Sequence, residues 1–142
     1  MNGPINAALV TGAILSAASG VLHVGIVIGG PTWMRYFGAI ERGVVAVEAG
    51  SLLPIVLGYG VALLWFVAAA YALSGAGVLP KWPLLKPALI VITSLYLLRG
   101  IAVVPIAMVL PNRLAFVVWS SVVFFIAGAV YFQGLVEVWR KI

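Results

Sequence analysis

The sequence predicts an all-α integral membrane protein in which four transmembrane helices form an up-down-up-down bundle. Two observations lead to this fold class. Of the 142 residues, 65% are hydrophobic and only 8% are charged, whereas a soluble domain has about 45–50% apolar and about 25% charged residues. Four apolar runs also reach the roughly 20 residues that a helix needs to cross a bilayer. A soluble enzyme and a disordered chain are thereby excluded, and residues 1–142 are expected to form a single membrane domain.

The first predicted span is Ile5–Gly29, and it ends at the turn-forming residues Gly30 and Pro31. Small residues recur at every fourth position on one face of this helix, which predicts close packing against another helix of the chain or of a second subunit. These residues are Ala8, Gly12, Ser16 and Gly20. His23 lies about 9 Å from the end of the span, and it is interpreted as either a hydrogen-bonded packing residue or an acid/base group.

The second predicted span lies within Val44–Leu73, after a loop whose aromatic residues and Arg35 suit the membrane interface. Glu41 and Glu48 are seven residues apart, so they share one face of a helix. A straight helix over this whole stretch would be roughly 50 Å long, which exceeds the bilayer. We therefore expect this helix to tilt, to bend at Pro54 or to begin in the interface.

The third predicted span is Lys86–Leu110, and Arg99 lies near its middle with Tyr96 one turn before it. Because arginine keeps its charge in the bilayer, it needs a carboxylate, backbone carbonyls or water around it. Arg99 is interpreted either as half of an ion pair with Glu48 that locks the helices together, or as an anchor for an anion or a ligand oxygen.

The fourth predicted span is Leu114–Val138, and it follows a tight turn that contains Asn112. Trp119, Ser120 and Ser121 lie within two helical turns of this end of the span. They are expected on the same side of the membrane as the loop between the first two spans, and so is Asn112.

An even number of spans places both termini on one side of the membrane. The termini and the loop between the second and third spans carry one more basic residue than the other two loops, so the positive-inside rule favours cytoplasmic termini. The basic residues are Lys81, Lys86, Arg140 and Lys141 on the first side and Arg35, Arg42 and Arg113 on the second. We predict that the protein resides in a bacterial inner membrane.

Together these positions predict a polar intramembrane pocket, formed by His23, Glu48 and Arg99, that binds or transforms a lipophilic molecule. Acid/base chemistry such as isomerisation, cyclisation or epoxide opening would use Glu48, His23 and Glu41 as catalytic residues. The residues expected to bind the substrate are Arg99, Asn112, Tyr96 and Trp119. The alternative is a non-catalytic accessory or assembly subunit of a larger membrane complex, in which the polar residues hold the helices together.

No cofactor and no metal ion are expected. The chain has no cysteine and one histidine, which within one chain excludes thiolate sites, a His-pair haem and a His-rich zinc site. Because the basic residues are scattered singly, no nucleic acid is expected as a partner. The expected partners are a membrane lipid or lipophilic small molecule, and further copies of the chain or a membrane complex.

Three short stretches of the chain resemble a family of bacterial four-helix inner-membrane proteins. They are Leu22-His23 with Gly29-Gly30, Leu79-Pro80-Lys81-Trp82, and Tyr96-Leu97-Leu98-Arg99-Gly100. The resemblance implies the four-helix membrane fold and implies no particular activity.

Overall fold

The computed structural model describes residues 4–109 and 114–140, and every regular element in these two ranges is an α-helix. The helices are α1 Ala7–Tyr36, α2 Glu41–Glu48, α3 Leu53–Gly75, α4 Leu85–Ile101, α5 Val103–Val109 and α6 Leu114–Val138. Among the described residues, α1, α3 and α6 are long and apolar enough to cross a membrane, and α4 with α5 form a fourth span if the bent pair counts as one. The predicted all-α membrane class is confirmed.

Helix α1 is interrupted at the position where the sequence predicts its end. Gly30 has φ 68° and ψ −156°, a conformation that residues with a Cβ rarely adopt. Pro31 then begins the continuation of the helix, where its missing N–H costs no hydrogen bond. The apolar span therefore ends at this break, and a short further helical piece carries Arg35 and Tyr36.

The predicted long second helix is two helices, α2 and α3, separated by residues 49–52. Gly50, with φ 86°, donates its N–H to Val47 O at 2.9 Å, and Ser51 donates to Ala46 O at 2.9 Å. This pair of bonds is a Schellman motif, which ends a helix at a glycine in the left-handed conformation. The chain thus breaks before Pro54, which stands in the first turn of α3. The same motif ends α1 at Gly38 and α3 at Gly77.

The predicted third span is bent by 56° between α4 and α5. Pro105 cannot donate a hydrogen bond to Ile101, and its ring crowds the carbonyl of that residue. Helix α4 therefore ends at Ile101, and α5 begins after Ala102.

The described residues belong to two compact units. Unit 1 comprises Met1–Ser16 and Val67–Ile142, and unit 2 comprises Ala17–Phe66. Unit 1 thus contains the start of α1, the end of α3 and the whole of α4, α5 and α6. Unit 2 contains the rest of α1, the helix α2 and the start of α3. The predicted single domain stays a prediction.

Helices α4 and α6 pack closely in unit 1 because glycines remove side chains from their interface. A Cβ added to Gly100 would lie 2.8 Å from the Cα of Phe125, and one added to Gly128 would lie 2.9 Å from the backbone N of Leu97. Both distances are far inside van der Waals contact, so the two backbones approach each other as small residues allow in membrane helices.

The small-residue face of α1 packs inside the chain, which confirms the intramolecular alternative. A Cβ on Gly12 would lie 2.7 Å from the ring of Tyr131 in unit 1, and Ser16 is fully buried there. In unit 2, a Cβ on Gly20 would lie 3.0 Å from the ring of Phe66.

Replacing Gly100 by alanine should destabilise unit 1. The added methyl group would meet the backbone of Phe125, which cannot rotate away as a side chain can, so we expect a loss of about 1–3 kcal/mol in the free energy of unfolding. Denaturant-induced unfolding in detergent micelles would measure it. Gly60→Ala is the matched control, because a Cβ there meets open space. Equal stability of the two variants would contradict the close packing.

Candidate functional site

In unit 2, Arg35 binds Glu41 and Glu48, the first and last residues of α2. Its Nε and Nη2 donate to Glu41 Oε1 at 3.0 and 2.9 Å, and its Nη1 and Nη2 donate to the two Glu48 oxygens at 2.7 and 2.9 Å. The position of Arg35 follows from the break at Gly30, which extends the helical chain beyond the apolar span. Helix α2 then presents Glu41 and Glu48 at its two ends.

This cluster corrects the predicted pairing of Glu48 with Arg99. Both oxygens of Glu48 are bound by Arg35, and the side chains of Arg35 and Glu48 are 41% and 45% exposed. The hydrogen bonds from Arg35 hold the pKa of the Glu48 carboxyl below its ordinary value of 4.5. Glu48 is therefore an ionised, exposed carboxylate, because Gly50 ends α2 directly after it and separates it from the apolar helix α3.

An apolar groove of about 340 Å³ is lined by residues that flank Arg35 in the sequence. They are Thr32, Trp33, Tyr36 and Phe37. The rings of Tyr36 and Phe37 meet edge to face with centroids 5.0 Å apart. Aromatic residues of this kind are typical of the membrane interface, as predicted from the sequence.

His23 lies in unit 2 with its ring centroid 5.9 Å from that of Trp65. Its Nδ1 is 2.8 Å from the carbonyl oxygen of Ser19, one helical turn earlier. Because a carbonyl only accepts, Nδ1 carries the hydrogen and Nε2 is the acceptor in the neutral ring. The hydrogen bond to Ser19 is the packing interaction that the sequence offered as one alternative.

Arg99 is bound to two hydroxyl groups of α6 in unit 1. Its Nη1 donates to Ser121 Oγ at 2.8 Å and its Nη2 donates to Ser120 Oγ at 2.9 Å. The guanidinium carbon lies 5.1 Å from the ring centroid of Phe124, which is cation–π distance. The sequence placed Ser120 and Ser121 near this end of the span but did not connect them to Arg99.

Tyr96 belongs to a buried chain of hydroxyl groups in unit 1. Ser16 Oγ is 3.0 Å from the Tyr96 hydroxyl and 2.8 Å from the Tyr131 hydroxyl, and Tyr131 donates to Ala68 O at 3.1 Å. Since Tyr131 gives its one hydrogen to the carbonyl, Ser16 donates to Tyr131 and Tyr96 donates to Ser16. The hydroxyls therefore form one directed chain that connects α1, α3, α4 and α6.

The remaining candidates are placed differently. Trp119 is 71% exposed at the surface of α6, and Asn112 lies outside the described residues. His23, Glu41 and Glu48 belong to unit 2, whereas Arg99 and Tyr96 belong to unit 1. Each of these five residues has a partner within its own unit, and the predicted joint pocket stays a prediction.

The polar contact between Asn6, at the start of α1, and Glu137 was not predicted from the sequence. The buried Asn6 accepts from the N–H of Leu9 at 2.7 Å, so it caps the helix, and it donates to Glu137 Oε2 at 2.7 Å. Gln133 donates to the other oxygen of Glu137 at 3.1 Å. An asparagine directly before an apolar helical run is a known capping signal, and it would have identified Asn6.

The lowered pKa of Glu48 predicts that the contact between α2 and Arg35 depends on pH. Because the folded carboxyl binds its proton more weakly than the unfolded one, the stabilisation is complete above pH 4.5 and is lost as the pH falls through the lower folded pKa. A carbon-13 NMR titration of the Glu48 carboxyl should show its midpoint shifting upward in Arg35→Met. Arg42→Met is the control and should leave the midpoint unchanged. An unshifted midpoint in Arg35→Met would contradict the pairing.

The described residues contain no group of three or more histidine, cysteine, aspartate or glutamate side chains placed to hold a metal ion. Comparisons with protein-family models, with curated proteins and with solved structures found no match to this chain.

Proposed function

We propose that this protein is a non-catalytic accessory or assembly subunit of a larger complex in a membrane. One observation carries the proposal. The chain has three acidic side chains, and each is bound by other side chains of the same chain. Glu41 and Glu48 are bound by Arg35, and Glu137 is bound by Asn6 and Gln133. Acid/base catalysis by Glu48 would first have to break two charged hydrogen bonds.

The other polar contacts support the same role, because they connect helices. The hydroxyl chain through Ser16 and Tyr131 connects four helices, and Lys86 binds the carbonyl of Trp139 at 3.1 Å. In a lipid surrounding, such contacts stabilise one arrangement of helices that are otherwise apolar on all sides. The apolar outer faces are then available to lipid and to a partner.

The proposed topology is four spans in up-down order with both termini in the cytoplasm of a bacterial cell. Contacts within unit 1 support the up-down order of the helices. The start of α1 meets the end of α3 through the bond from Asn6 N to Ala76 O, and it meets the end of α6 through Glu137. Lys86 at the start of α4 meets Trp139 after α6. These contacts make α1 antiparallel to α3 and α6, and α4 antiparallel to α6.

The second candidate is the binding or conversion of a lipophilic substrate. It is favoured by His23, whose Nε2 is the acceptor in the neutral ring and whose ring lies near Trp65. His23 would then be the base, since the two glutamates of unit 2 are bound by Arg35. The resemblance to bacterial four-helix inner-membrane proteins is compatible with both candidates and stays a prediction.

Native mass spectrometry of the chain in nanodiscs cut directly from its own membrane tests the proposed role. We expect a complex of whole-number stoichiometry with another membrane protein or with further copies of the chain. A monomer that carries one lipophilic small molecule, and loses it in His23→Gln, would contradict the accessory role and support the second candidate.

Labelling of single cysteines tests the topology. The chain has no native cysteine, so Lys81→Cys and Ile40→Cys each carry one thiol, and both positions are exposed. In spheroplasts, a membrane-impermeant maleimide should label the Ile40→Cys protein and should label the Lys81→Cys protein only after lysis. Labelling of both from outside would overturn the up-down arrangement.

A further inference from the structure

Arg99 is a permanent cation for which the chain supplies no side-chain carboxylate. The only three acidic side chains are bound elsewhere, two by Arg35 and one by Asn6 and Gln133. The two serine hydroxyls that receive the N–H groups of Arg99 are dipoles and do not neutralise its charge. An arginine does not lose its proton in a protein, so an anion from outside the chain would be a favourable partner for Arg99.

The groups around Arg99 are arranged to donate hydrogen bonds to such an anion. Two of the five guanidinium N–H groups are used on the serines, and the other three have no acceptor among the described residues. Ser120 gives its hydrogen to Val117 O at 3.1 Å. Ser121, which is 3% exposed, accepts from Arg99, and its own hydrogen has no acceptor in the described part of the chain. Three N–H groups and one O–H group thus remain as donors.

The cluster of Arg99, Ser120 and Ser121 lies toward one end of α4 and of α6. Ser120 and Ser121 lie about 9 and 10.5 Å along α6 from its first residue. Trp119, directly before them, is 71% exposed, as expected for a residue of the membrane interface. Arg99 lies two residues before the end of α4, after which the chain turns away by 56° into α5. Helix α4 therefore does not continue in a straight line beyond Arg99 and Ile101.

We propose that Arg99, with Ser120 and Ser121, binds the phosphate group of a phospholipid. A phosphate offers more acceptor oxygens than a carboxylate, and the planar guanidinium matches its geometry. The remaining donors are therefore better satisfied by phosphate than by an acidic side chain of a partner protein. A phospholipid carries such a phosphate near the ends of membrane-spanning helices, and this cluster lies toward one end of α4 and of α6. The inference is independent of the accessory role, because a lipid bound at this position neutralises Arg99 in either candidate function.

Native mass spectrometry of the delipidated protein, titrated with dioleoylphosphatidylglycerol, tests the proposal. Arg99→Gln should weaken this binding by about tenfold or more, as the loss of charged hydrogen bonds does. Ser121→Ala and Arg99→Lys should weaken it by smaller factors, and they keep the test valid if Arg99→Gln fails to fold. Lys86→Gln is the matched control, since it removes the other cation of α4 and should leave the affinity unchanged. Dioleoylglycerol, which has the same acyl chains and no phosphate, should bind equally weakly to all variants.

Three outcomes would overturn the proposal. The first is equal affinity for phosphatidylglycerol in the wild type, Arg99→Lys and Ser121→Ala. The second is Arg99-dependent binding of inorganic phosphate with no such dependence for the lipid, which would assign the site to a free anion. The third is a second protein chain that is held through Arg99 while no lipid binds, which would assign the counter-ion to a partner's carboxylate.

Discussion

The scarcity of carboxylates is the constraint on which the polar contacts of this protein depend. The chain has eight lysine and arginine residues and only three acidic side chains, so most of its cations cannot each pair with a carboxylate. Arg35 binds two of the three carboxylates, at an exposed position where charged groups remain partly hydrated. Lys86 instead uses a backbone carbonyl and the ring of Trp139. Arg99 uses two serine hydroxyls and the ring of Phe124.

Close helix packing in unit 1 depends on glycine residues at the helix contacts and on buried hydroxyl groups. Gly100 and Gly128 let the backbones of α4 and α6 approach each other, and Gly12 makes room for the ring of Tyr131. The hydroxyl of Tyr131 then needs partners, because it is completely buried. Ser16 and the carbonyl of Ala68 supply them. The small residues Gly12 and Ser16 of α1 therefore determine both how closely the ring of Tyr131 approaches α1 and where the hydroxyl chain lies.

The division of polar groups between the two units bears on function. Unit 2 contains an ionised cluster that is complete in itself, since Arg35 satisfies both glutamates. Unit 1 contains Arg99 and Ser121, which keep hydrogen-bond donors that no acceptor among the described residues receives. A complete cluster is typical of a structural element, whereas unsatisfied donors beside a permanent charge are typical of a ligand site.

The sequence by itself determined the all-α membrane class and the break of the first helix at Gly30, because composition, run length and turn residues act locally. It also identified Arg99 and the small-residue face of α1. It did not determine the partners of the charges: Arg99 was one partner that the sequence offered for Glu48, and the structure pairs Glu48 with Arg35. Pairing depends on where Gly50 ends α2 and on which residues the folded chain brings together. Arg35 and Glu48 are 13 positions apart, and Arg99 and Ser121 are 22 apart. Such residues meet only through tertiary structure, which the periodicity of a single helix does not reveal.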